Sequence, residues 1–222
     1  RFFGSISVAK ASPSFEFALL PQAPERASKA RSNRRARSAG EAPRVGVIYN
    51  PRSHRNQGAD LDSKVCPQVH VSVPGNRDAL PDALSDFARD EIDLLVISGG
   101  DGTVRDVLTC GDGIFGENWP AIAILPKGKT NALTVDLGVP IDWNLQDAIE
   151  AFDQGGRMVR RPVEVSDLEK GASSRVLGFL LGAGAFTTAV KAGQSAHKLG
   201  AFNSAVVTVT AAWGIVQAIF AS

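Results

Sequence analysis

The apolar run Ile92-Asp93-Leu94-Leu95-Val96-Ile97-Ser98 passes directly into Gly99-Gly100-Asp101-Gly102-Thr103. A short apolar run bounded by turn residues reads as a buried strand. The chain must therefore end that strand in a loop carrying three glycines, one carboxylate and one hydroxyl. Glycine lets a backbone take left-handed angles and lets a ligand approach the main chain closely. Successive N–H groups in such a turn form a concave anion site, and the helix that follows adds its positive end. A carboxylate there can hold a divalent cation that a polyphosphate also binds. The feature points to a nucleoside phosphate as ligand.

Other segments repeat the pattern. Val45-Gly46-Val47-Ile48-Tyr49 reads as a buried strand ending in the turn Asn50-Pro51-Arg52-Ser53, and Val69 to Val73 as a second short strand. Leu80, Ala83, Leu84, Phe87 and Ala88 recur at helical spacing within Asp78–Arg89, with Asp78 as the expected cap and Pro81 in the first turn. A helix is expected from Thr103. Ala121-Ile122-Ala123-Ile124-Leu125 is a fourth strand, running into Pro126-Lys127-Gly128-Lys129-Thr130-Asn131. Short helices follow over Ala132–Leu137 and Leu145–Phe152, the second closed by Gly155-Gly156. Alternating strands and helices imply a parallel α/β sheet. Ligands of such sheets lie beyond the carboxyl ends of the strands. The loops at Asn50, Gly99 and Gly128 all follow strands directly and are expected to converge on one edge.

Three stretches are expected. Residues 1–43 read as a disordered basic tail, residues 44–157 as a nucleotide-binding domain, and residues 158–222 as an incomplete, β-rich second domain. Within the last, Met158–Val165 and Val176–Leu181 read as strands of a different layer, and Ala205–Ala221 as a buried helix, shorter than a membrane span and interrupted by Thr208, Thr210 and Gln217. The net charge of +1 divides unevenly: +6 over residues 1–44 and −5 over residues 45–222. A mildly acidic folded part does not carry a nucleic-acid footprint. The basic stretch is a solvated tail or an electrostatic contact with an anionic membrane. Cys66 and Cys110 lack metal-ligand spacing, and a reduced, cytoplasmic protein is expected, peripheral at most to the inner face of the membrane. The chain begins with Arg rather than Met and reads as a piece of a longer protein.

Three motifs together resemble the diacylglycerol kinase catalytic-domain family, lipid kinases that include bacterial diacylglycerol kinases and sphingosine kinases. Asn50-Pro51-Arg52-Ser53 resembles the first-loop pattern Asn-Pro-x-Ser-Gly. Gly99 to Thr103, with Val104 and Asp106 behind it, resembles the Gly-Gly-Asp-Gly-Thr nucleotide loop. Leu125 to Pro140 resembles the third loop, usually Pro-x-Gly-Thr-x-Asn-Asp followed by Leu-Gly-Ile/Val-Pro. The resemblance covers residues 44–165. His54 stands where the family usually has Gly, Arg105 where it has Asn, Lys129 where it has Thr, and Ala132 where it has Asp.

The resemblance implies an ATP-dependent lipid kinase that passes the γ-phosphoryl group to a diacylglycerol-like hydroxyl at a membrane surface. It makes ATP and Mg²⁺ the cofactors. The nucleotide-binding residues are then Asn50, Pro51, Arg52, Ser53, His54, Gly99, Gly100, Asp101, Gly102, Thr103, Gly128, Lys129, Thr130 and Asn131. Asp101 carries the catalytic Mg²⁺–ATP role. Each has a plainer reading: Asp101 as a turn cap, Asn50 as a lone Asn-Pro turn, His54, Lys127 and Lys129 as solvated loop residues. Asp106 is a second acid or a solvated helix residue. The family's acid/base carboxylate is expected beyond Ser222, so the chain alone is expected to show little kinase activity. Two other functions share these residues. NAD kinases have the same glycine loop but also an Asn-Glu dipeptide, absent here. A nucleotide-binding domain without catalysis accommodates Lys129 and Ala132.

Overall fold

The computed structural model describes residues 6–10, 14–19, 41–56, 69–167, 169–170 and 174–179. In chain order the strands are β1 (Ile6–Lys10), β2 (Phe15–Ala18), β3 (Val45–Tyr49), β4 (Val69–Ser72), β5 (Leu94–Gly99), β6 (Ala121–Pro126), β7 (Arg157–Arg160), β8 (Val163–Asp167) and β9 (Val176–Gly178). The helices are α1 (Leu80–Arg89), α2 (Asp101–Phe115), α3 (Ala132–Asp136) and α4 (Leu145–Asp153).

Six strands form one sheet in the order β4-β3-β5-β6-β2-β7. The pairings from β4 through β2 are parallel, and β7 runs antiparallel to β2. Val47 lies between Val71 and Val96, and Ile97 lies beside Ile124. Side chains alternate across a strand, and both faces here are apolar. Ile48, Leu95, Ile97, Ile122 and Ile124 face the layer holding α1 and α2. Val45, Val47, Leu94, Val96, Ala121, Ala123 and Leu125 face Trp143 and the α4 residues Leu145, Ala148 and Ile149. Burial on both sides is why these strands read as continuous apolar runs.

The helices follow from their stripes and caps. Leu80, Ala83, Leu84 and Phe87 form the buried side of α1. Gly46 permits the close approach, since a Cβ there would sit 2.8 Å from Ile92 and 2.9 Å from Phe87. The expected cap Asp78 instead lies inside a 3-10 turn, Arg77–Ala79, which Asn76 caps by accepting from the Ala79 N–H at 3.1 Å. Helix α2 starts at Asp101, two residues earlier than expected, because Gly100 takes the extended N-cap conformation. Asn144 and Asp147 form a reciprocal capping box at α4.

The N-terminal segment departs most from expectation. Residues 6–10 and 15–18 are strands rather than part of a disordered tail. β2 sits inside the main sheet, between β6 and β7, with Phe15 and Phe17 fully buried. Phe15 meets Trp119 edge-on at 4.7 Å, and Phe17 meets Phe179 at 5.7 Å. Burying two large rings outweighs the polar composition around them. The basic stretch at 25–38 lies outside the described residues.

The expected change of layer at Met158 also shifts. The Met158–Val165 segment is two strands separated at Arg161-Pro162, where proline removes a ladder donor. Met158 itself remains in the main sheet, beside Phe17. Only β8 and β9 leave it, forming with β1 a second sheet in the order β1-β8-β9. That sheet is tied to α2 by the Leu177 N–H donating to Thr109 Oγ1 at 3.1 Å and by Arg175, which pairs with Asp112 and with Glu164 at 2.9 Å. The hydrogen bond to Glu164 raises the Arg175 pKa above its ordinary value despite partial burial. Leu180 onward, including the expected helix at 205–221, lies outside the described residues.

Phe17→Ala is expected to cost about 3–5 kcal/mol of unfolding free energy, as for other buried aromatic truncations. Removing residues 1–19 strips β7 of its partner strand and is expected to yield an aggregation-prone chain. Urea unfolding and light scattering read the two outcomes; an unchanged midpoint in Phe17→Ala contradicts the placement of β2.

Candidate functional site

The chain leaves β3 for β4 on one side and returns to β5 on the other. The crevice beyond the carboxyl ends of β3 and β5 is therefore the topological switch point, where open α/β sheets take their ligands. The Asn50 and Gly99 loops flank it directly, and the Gly128 loop follows the next strand.

Hydrogen bonds lock the three loops into one layer. The Asn50 N–H donates to the Ser98 carbonyl at 3.0 Å, extending the β3–β5 ladder by one rung. Its side-chain amide donates to Thr103 Oγ1 at 2.8 Å, and its Oδ1 accepts from the Arg52 N–H at 3.0 Å. The Lys127 N–H donates to the Gly99 carbonyl at 3.2 Å, and the Arg55 N–H donates to the Lys127 carbonyl at 3.0 Å. The first loop thus touches both others.

The glycine-bearing loops meet backbone to backbone. A Cβ on Gly100 would stand 2.9 Å from the Gly128 Cα, and a Cβ on Gly128 would stand 2.6 Å from the Gly100 Cα. Neither position tolerates a side chain without moving main chain. Asn131 shapes the turn from within. It is buried with φ of 52°, accepts from the Gly128 N–H at 2.7 Å and donates to the Gly128 carbonyl at 3.0 Å. Asparagine is among the few residues that adopt left-handed angles readily.

Asp101 spans two elements. It opens α2, yet its carboxylate caps α3, accepting from the Ala132 N–H at 3.0 Å and the Leu133 N–H at 3.1 Å. One carboxylate serves the positive ends of two helices. The contact at residue 132 is made by its main chain, so alanine there preserves it.

The remaining candidates divide by exposure. Ser53 is buried beneath the first loop, its N–H donating to the Asn50 carbonyl at 3.1 Å. Pro51, Arg52, His54, Gly102, Lys129 and Thr130 are exposed. The exposed set includes two cations, Arg52 and Lys129, and α2 opens at Asp101 within the glycine loop, a combination suited to a polyanion.

Two features escaped the sequence reading. Asn56 is buried and fastens the first loop to β5. Its amide donates to the carbonyls of Asn50 at 2.9 Å and Ser98 at 3.0 Å, its Oδ1 accepts from Ser98 Oγ at 3.2 Å, and its carbonyl accepts from the Tyr49 hydroxyl at 2.8 Å. A polar residue seven positions beyond the end of β3 carries no periodic signal. The second is a cleft of about 260 Å³ opening from the switch point toward β4, between Asn50–Arg52 and Val73–Arg77, with Thr103 and Asp106 of α2 on its wall. Its far side, Val73-Pro74-Gly75-Asn76-Arg77, carries a turn-forming Pro-Gly pair and a single cation, too little to mark it as a site from sequence.

Among the described residues no group of three or more His, Cys, Asp or Glu could hold a metal ion. The Asp101 oxygens each accept one amide and keep lone pairs for another partner. That suits a single carboxylate facing a cation carried by a phosphate ligand.

The family model for the diacylglycerol kinase catalytic domain matches residues 44–165. A diacylglycerol kinase of Bacillus subtilis (strain 168) is 31% identical over 139 residues, covering 56% of this chain and 42% of the relative. A solved diacylglycerol kinase structure from Bacillus anthracis str. Sterne shares 26% identity, with a TM-score of 0.38, covering 49% of this chain and 40% of that one. The chain thus spans less than half the length of these relatives. The family match takes in all three loops and more than half of the 222 residues: the chain belongs to the diacylglycerol kinase catalytic-domain family.

Proposed function

We propose that the three joined loops bind Mg²⁺–ATP and that the whole protein passes the γ-phosphoryl group to the hydroxyl of a diacylglycerol-like lipid at a membrane surface. The observation that carries this reading is the single hydrogen-bonded layer at the switch point, floored by the facing Gly100 and Gly128. Glycine-rich backbone against a helix start is where phosphates are held. In the transfer, the acceptor oxygen bonds to the γ-phosphorus, the bond to the β–γ bridging oxygen breaks, ADP leaves, and the acceptor's proton passes to a base.

Each residue has a part in this reading. Gly100 and Gly102 present main chain at the start of α2 to the phosphates, Gly99 and Gly128 let the loops close up beside them, Thr103 and Thr130 offer hydroxyls, Arg52 and Lys129 oppose negative charge, and His54 offers a ring N–H. Asn50, Ser53 and Asn131 hold the loops in register. Asp101 joins α2 to α3 and is the residue we assign to face the cation. A bound Mg²⁺ supplies charge neutralisation on the phosphate oxygens.

Among the described residues no helix is long and apolar enough to cross a membrane. In this reading the lipid is approached from the membrane surface. The chain covers 42% of the Bacillus subtilis relative, and we place the base on a segment beyond residue 222. The 222-residue chain is then expected to bind ATP while turning over little lipid.

Calorimetric titration with Mg²⁺–ATP tests the nucleotide half. Gly128→Ala, which forces Gly100 and Asn131 apart, is expected to weaken ATP about tenfold or more, from a displacement costing about 1–3 kcal/mol. Asp101→Ala is expected to lose about 1–2 kcal/mol of stability through the lost cap, together with most of the Mg²⁺ dependence of ATP binding. Radiolabelled ATP offered with a lipid panel tests the transfer half in the longer protein. Phosphorylation of NAD instead, or ATP binding with no transfer by the longer protein, overturns the kinase assignment.

A further inference from the structure

Arg77 lines the cleft together with Thr103 and Asp106 of α2, in a segment that neither the family motifs nor the site assignment uses. Its backbone is fixed. It begins the 3-10 turn that Asn76 caps, and that turn feeds directly into α1, whose Leu80 and Leu84 are buried in the core. The side chain is held loosely. Its recorded partner is Asp106, with Nε 3.8 Å from Oδ1, beyond hydrogen-bonding distance.

Asp106 is already engaged. The same Oδ1 accepts from Arg105 Nη2 at 2.9 Å and from Arg105 Nε at 3.1 Å. Two guanidinium groups therefore share one carboxylate, and Arg77 has the weaker hold. A half-exposed ion pair at that distance costs little to release. Two amides line the cleft: Asn50 is turned to Thr103 and to the Arg52 N–H, and Asn76 to the Ala79 N–H. The side-chain charges lining the cleft are Arg52, Arg77 and Asp106, a net positive set.

We propose that Arg77 is a nucleotide-positioning residue of this chain: its guanidinium turns from Asp106 onto a phosphate group of the bound nucleotide and closes the β4 side of the cleft. The inference rests on the ATP reading above. A guanidinium offers several N–H donors in a planar fork that matches phosphate oxygens. Thr103 and Asp106 stand one helical turn apart on α2, so a ligand whose phosphates lie at the glycine loop comes within reach of Arg77.

The test compares wild type, Arg77→Gln and Arg77→Lys in the full chain, titrated with Mg²⁺–ATP at several salt concentrations. Arg77→Gln is expected to weaken ATP about tenfold, the loss of a charge-assisted hydrogen bond. It should also flatten the salt dependence of affinity, with an unchanged unfolding midpoint. Arg77→Lys, which keeps the charge but not the fork, is expected to fall between. A merely structural role predicts an altered midpoint and an unchanged salt slope. If wild type binds ATP, Gly128→Ala weakens it and Arg77→Gln stays within twofold of wild type, this inference fails and the site reading stands. If wild type binds no ATP, both fail.

Discussion

The site depends on a contact between two glycines. β5 and β6 are adjacent parallel strands, and neighbouring strands run only about 4.8 Å apart. Two loops leaving them side by side must overlap unless their main chains can touch. Gly100 and Gly128 allow that: each would place a Cβ within 3 Å of the other's Cα. With no side chain between them, the Lys127 N–H reaches the Gly99 carbonyl and Asp101 reaches the first amides of α3. Helices α2 and α3 are joined through this contact.

The sheet beneath supplies the rigidity. Its central strands are apolar on both faces, so a one-residue slip of register would exchange one full set of packed side chains for the other. β3, β5 and β6 therefore end at fixed heights, and the loops leave them in fixed relation. Asn56 adds the cross-link that the ladder does not reach, tying the first loop to the last polar residue before Gly99. A buried amide with its donor and acceptor both satisfied holds its place at little net cost.

What could be read from the sequence follows the same division. Strands with unbroken apolar runs announce themselves, and so do loops whose glycines follow them without interruption. β2 is hard to read because its four residues, Phe15–Ala18, stand in a segment otherwise dominated by Ala, Ser, Pro and Arg. Its alternation Phe15-Glu16-Phe17 is genuine, but only the tertiary partners Trp119 and Phe179 give it meaning. β7 was misplaced for a linked reason: its partner in the sheet is that same hidden strand. Within the site, the convergence of Asn50, Gly99 and Gly128 follows from each loop leaving the end of a parallel strand directly. The roles of Asn56, of Arg77 and of Asp101 as a cap depend on distances that no spacing encodes.

The two departures from the family pattern in the third loop become intelligible once the contacts are separated by chemistry. Residue 132 meets Asp101 through its N–H, so the usual aspartate is not needed to seat α3. Alanine at that position also leaves the loop with one carboxylate fewer than the family pattern. Lys129, where the family usually has threonine, is exposed and adds a cation to the third loop. Relative to the family pattern both changes move the loop's charge in one direction, toward the positive. The backbone that does the seating is untouched, and the field above it is made more positive.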